Sequence, residues 1–158
     1  MKVLFVICAE GAVTDRYTGA TSLFNIIDKF SVLAFPLFIP RLVCVIALER
    51  TAEEPNEGVG KLEVSIGNAM LMAQESPFTF MGQNRTSLAA ILHGMPIAQP
   101  GILHFRYSTG GVEGTYDVPF EQAAKEQMEL FTQLASTRFS EISRQTSGQP
   151  TTESQTAV

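Results

Sequence analysis

Few residues in this 158-residue chain have side chains suited to chemistry, and their spacing limits what they can do. His93 and His104 are the only histidines. Imidazole serves as a metal ligand and as an acid or base near neutral pH. The two match no ligand spacing, and His104 falls on the solvent side of an alternating segment, so both are read as structural or solvent-facing. Aspartate occurs only at Asp15, Asp28 and Asp117. A calcium site needs several carboxylates gathered in one loop. The acidic stretch Glu53-Glu54-Pro55-Asn56-Glu57 follows no calcium-loop spacing and reads as a solvated loop. Cys8 and Cys44 sit inside the apolar runs VLFVICA and RLVCVIAL, with no C-x-x-C spacing. The reactive form of cysteine is the thiolate. No base flanks Cys8, and the Glu10 carboxylate disfavours ionisation. Two reduced core thiols are expected, with a single inter-strand disulfide as the alternative. No G-x-S-x-G, P-loop or G-x-G-x-x-G is present. No catalytic residue, cofactor-binding residue, metal ligand or cofactor is expected.

Composition narrows the function classes further. The net charge is −5, and Lys2, Lys29, Lys61 and Lys125 are scattered. A nucleic-acid binder shows phosphate a basic surface, so none is expected here. Hydrophobic residues make up 45% of the chain and charged ones 17%, enough for one domain with a real core. No apolar run approaches the ~20 residues of a membrane-spanning helix, so no membrane partner is expected. Val3 to Ala9 reads as a buried first strand rather than a secretion signal. The expected location is cytoplasmic.

The elements that would position these residues are mostly strands. Val3 to Ala9 is apolar and β-branched, and Glu10-Gly11 ends it. A polar turn covers Asp15 to Gly19. Ser22 to Leu33 reads as one strand. Pro36 and Pro40 make the piece between them an edge or a connection, because proline donates no ladder bond. Arg41 to Arg50 is apolar on both faces, as in the middle of a sheet. Lys61 to Ile66 alternates as a half-buried strand, and Gly67-Asn68 turns it into Ala69 to Ala73. Phe78 to Met81 is a short strand. Thr86 to His93 is ambiguous between strand and helix, with strand preferred. Ile102 to Ser108 and Val112 to Phe120 form a hairpin about Thr109-Gly110-Gly111, with Tyr107 and Tyr116 facing inward. Such spacing predicts an antiparallel β-sandwich of about seven to nine strands over residues 1–120.

From Glu121 the composition shifts to Ala, Glu, Gln and Leu, which favour helix. Met128, Phe131, Ala135, Phe139 and Ile142 recur at helical spacing, so 121–144 is expected to be an amphipathic helix. Residues 145–158 carry almost no apolar content and are expected to be a disordered tail. The stripe packs on its own sandwich or docks a partner protein or a second copy.

The chain resembles an uncharacterised bacterial domain family of unknown function. Cys8-Ala9-Glu10-Gly11-Ala12 with Asp15, Ser22-Leu23-Phe24-Asn25-Ile26, Phe35-Pro36, Pro40-Arg41-Leu42, Pro96-Ile97 and Pro100-Gly101 carry the resemblance. It implies a β-rich fold and no known activity. The expected function is a non-enzymatic protein-interaction or structural module, an adaptor or complex subunit. The alternatives are a small-ligand or carbohydrate-binding sandwich and, third, an enzyme of unrecognised type. A carbohydrate site would want an exposed aromatic platform, and the chain has no Trp. An enzyme would bring Glu10, Asp28 and a histidine together.

Overall fold

The structure, a computed structural model, describes residues 1–124, Glu129 and residues 132–134. The chain divides into two compact units, Met1–Gln122 and Ala123–Val158. The described residues of the first unit form nine strands: β1 (Lys2–Thr14), β2 (Thr21–Ile26), β3 (Phe30–Val32), β4 (Leu37–Glu49), β5 (Glu57–Ile66), β6 (Ala69–Thr79), β7 (Arg85–Ile97), β8 (Gly101–Thr109) and β9 (Val112–Gln122). They build the expected sandwich of two sheets, ordered β2-β1-β4-β7 and β3-β9-β8-β5-β6. In the second unit, Glu129 and residues 132–134 are helical. The stripe Met128, Phe131, Ala135, Phe139 and Ile142 and the expected tail at 145–158 lie outside the described residues.

Alternation along each strand sends one row of side chains between the sheets. Leu42, Cys44, Ile46 and Leu48 of β4 meet Leu62 and Val64 of β5 and Leu103, Phe105 and Tyr107 of β8 in one buried cluster. Phe30 and Phe120 stack at 4.5 Å across the parallel β3–β9 pair. Tyr107 lies against the backbone of Gly60, where any Cβ would meet its ring.

Four strand expectations need correction. Ser22 to Leu33 is two strands in different sheets: β2 pairs antiparallel with β1, and β3 pairs parallel with β9. The buried Ile27 and the polar Asp28-Lys29 carry the chain from one sheet to the other. Phe78 is the end of the eleven-residue β6, not a separate strand. The segment after Pro36 belongs to β4, which lies inside its sheet. The β4–β7 register passes from Ile39↔Met95 to Arg41↔His93 and leaves Pro40 out. On the other side, β1 pairs with β4 only as far as Ala9↔Val43. Pro40 therefore stands where β4 is locally an edge, the position a proline tolerates in a sheet.

The missing half of β1 explains β4. Glu10-Gly11 does not end the first strand; the chain bends there and continues to Thr14, paired with β2. A straight continuation would lie beside Leu37 to Leu42. Instead Thr21 Oγ1 lies 3.3 Å from Ser87 Oγ, and Ser87 pairs with Ala47 at the opposite end of β4. The hairpin of residues 11–24 thus doubles back as an arm across the outside of the four-stranded sheet. Gly11 and the positive-φ Asn25 mark the bend, bridged by Asn25 Nδ2 donating to Glu10 Oε2 at 2.7 Å. Beneath the arm, the outward row Ala9, Val43, Val45 and Ala47 is buried although it lies on the face away from the core. β4 is apolar on both faces because both are covered.

Candidate functional site

The residues first considered for chemistry do not form one site. His104 sits on the outer face of the five-stranded sheet, its Nδ1 2.8 Å from Asp117 Oδ1 on β9. His93 is exposed on β7, opposite Arg41. Glu10 is taken up by Asn25 at the root of the arm, and Asp28 is exposed between β2 and β3. Glu54 caps its own loop by accepting from the Thr51 N–H at 2.7 Å. Asp15 accepts the N–H groups of Thr18 and Tyr17 at 2.7 and 2.8 Å, which holds its carboxyl below the usual range. That carboxylate organises the tip of the arm. Among the described residues, no three of His, Cys, Asp and Glu gather as metal ligands.

The two thiols do come together. Cys8 and Cys44 are direct cross-strand partners in the β1–β4 ladder, both free and fully buried. Their mutual hydrogen bond, with burial, pushes the Cys8 thiol far up, so neither the thiolate nor its nucleophilic chemistry is favoured. They behave as core side chains, as expected.

The outer faces of the two sheets differ. That of the five-stranded sheet is mixed, with ion pairs among the exposed Val59, Met70 and Ile102. Arg106 is bonded to Glu113 at 2.6 Å, which raises the guanidinium further, and Lys61 beside Glu63 at 2.5 Å lowers that carboxyl. The outside of the four-stranded sheet carries the exposed Arg41 and the Arg85–Glu49 pair, but the arm that crosses it is apolar on its outer side. Val13, Phe24 and Ile26 of the arm, Phe5 of β1, Phe38 of β4 and Ile91 of β7 are each between 43% and 63% exposed. Phe38 and Ile91 point outward because their neighbours Ile39, Ala90 and Leu92 point into the core. Across Thr21–Ile26 there is no charged residue, nor from Gly11 to Thr14.

Of the clefts among the described residues, two bear on these faces most directly. One of about 490 Å³ opens between the arm tip, at Thr14 and Thr18, and Phe5, Ala47, Arg85 and Ser87. Its cationic side chain is occupied, since Arg85 pairs with Glu49 at 2.7 Å. A trough of about 620 Å³ lies beside the β5–β6 turn, lined by Ile66, Leu71, Pro96, Pro100, Ile102 and His104.

No chemical motif marks the apolar outside of the arm. One signal was present: Val43, Val45 and Ala47 form a second apolar row on β4, which requires a cover over the outer face. No family model matches this chain, and no curated protein matches it. Among the described residues, no helix is long and apolar enough to cross a membrane.

Proposed function

We propose that this chain is a non-enzymatic interaction module, an adaptor or a subunit of a larger assembly, acting in the cytoplasm. The observation that carries this reading is the uncharged outside of the arm, with the apolar side chains exposed on it and around it. Six large apolar side chains, each about half exposed, amount to roughly 500 Å² of apolar surface on one side. Patches near the top of the range for a monomer are commonly interaction sites. The opposite face exposes fewer such side chains, Val59, Met70 and Ile102, alongside its ion pairs. Docking through Met128, Phe131, Ala135, Phe139 and Ile142 belongs to the same reading, as does kinship with an uncharacterised bacterial domain family.

The test compares the full chain with a Phe24→Glu, Ile26→Glu variant in affinity capture, with circular dichroism confirming that both are folded. A stoichiometric macromolecule, either a different protein or the chain itself, held by the first and lost from the second supports the reading. A full chain that holds no macromolecule at all overturns it. The trough beside His104 is where a small-ligand reading would place its site, and native mass spectrometry of the purified chain tests that alternative.

A further inference from the structure

Resting on that reading, we propose that the occupant of the apolar face is a second copy of this chain, packed about a two-fold axis through the outside of the arm. A two-fold contact sets one patch against the same patch, so the patch must be compatible with itself. Each copy carries a net charge of −5, so two copies repel at long range. Contact is favourable only through a face whose centre is free of charge.

The outside of the arm meets that condition. β2 and residues 11–14 of β1 carry no charged side chain. The nearest charges in sequence lie at its ends, Asp15 and Arg16 at the tip and Glu10 at the root; Asp15 is bonded within the tip turn and Glu10 to Asn25. A charged partner would find nothing to pair with at the centre of this face, whereas an identical apolar face is matched.

The strand edges point the same way. A sheet edge is guarded by proline, by charge or by shortness. Among the four edge strands, β7 carries Arg85 and Pro96, β6 carries Glu75 and Pro77, and β3 is three residues long. β2 has six residues and neither charge nor proline, so a second chain can approach it. The area also suffices. Two patches of roughly 500 Å² with a polar rim bury about 1,200 Å² in total, the lower end for a specific stable interface.

Sedimentation velocity on the full chain across a dilution series tests this. The wild type is expected to sediment as a dimer of 17.2 kDa chains that dissociates on dilution. Phe24→Glu places an unpaired charge at the centre of the contact, and it should weaken the dimer by about a hundredfold or more. Phe24→Ser, a milder change at the same exposed site, should weaken it less. Ile102→Glu, at a comparably exposed position on the opposite sheet, should leave it intact. A wild type that stays monomeric at every concentration, or a dimer insensitive to Phe24→Glu, overturns the proposal. A monomer that captures a different protein through this face also overturns it while leaving the interaction-module reading standing. A monomer that captures nothing overturns both.

Discussion

Replacing Gly60 with alanine tests the packing at its tightest point. A Cβ there would meet the phenol oxygen and Cζ of Tyr107 and lie 2.7 Å from its Cε2. Carbon atoms pack at about 3.5–4.0 Å, so the ring must move by an ångström or more. It has nowhere to go, because Tyr107 is fully buried among Leu62, Phe105 and the rest of the core. Ordinary overpacking costs about 1–3 kcal/mol, and loss of a buried aromatic from its site about 3–5 kcal/mol. Gly60→Ala should therefore destabilise by about 3–4 kcal/mol. For a domain of this size that lowers Tm by roughly 12–16 °C. Calorimetry of the single variants and of Gly60→Ala/Tyr107→Leu would complete a double-mutant cycle. Leucine lacks Cζ and the hydroxyl, so the double variant should be at least about 1 kcal/mol more stable than the sum of the single effects. A Gly60→Ala protein within 1 kcal/mol of wild type, or strictly additive effects, would refute the contact.

Among the described residues the buried Tyr107 hydroxyl has no hydrogen-bond partner, so Tyr107→Phe should be neutral or stabilising by about 1 kcal/mol in urea titration at neutral pH. Burial pushes the phenol up to about 12 from its ordinary value near 10. The folded chain therefore keeps the proton that the unfolded chain loses, and stability present below pH 10 falls as pH rises towards 12. The wild type should lose about 2–3 kcal/mol more than Tyr107→Phe over that window; equal losses would contradict the assignment. Some loss persists in the variant, because burial raises Tyr116 as well. Neither Cys8 nor Cys44 should react with iodoacetamide in the folded protein, and both should react in denaturant. Alkylation of the native chain, read by intact mass, would show that β1 opens from β4.

Where a local pattern decided the outcome, the sequence was a good guide. Lys61 to Ile66 alternates because one face of β5 is core and the other is water. The turn at Gly110-Gly111 needs positive φ at both residues, which glycine allows without strain. Cys8 and Cys44 read as buried thiols because both strands around them are apolar. What stayed hidden depended on partners distant in sequence. Nothing local to Ser22–Leu33 tells that Ile26 remains beside Ala9 while Phe30 joins Phe120. Pro40 argued for an edge, and it does stand on one because β1 turns away before reaching it; hidden was that this edge runs on into the central part of β4. The same bend hid the candidate site, since Glu10-Gly11 looks alike whether a strand stops or folds over. Only the second apolar row of β4 bore on the question, and it called for a cover without naming one.

The arm also has a consequence for how the molecule opens. With core on one side and a folded-back hairpin on the other, the central amides of β4 have no face through which water can enter. Their hydrogen exchange should require disruption of the whole unit, so their rates measure its global stability. β2, at the sheet edge, should exchange through small local openings instead. Any occupant seated on the outside of the arm would slow exchange in β2 and, by mass action on the folded state, in β4 as well. The two strands together separate a local protective contact from an overall gain in stability.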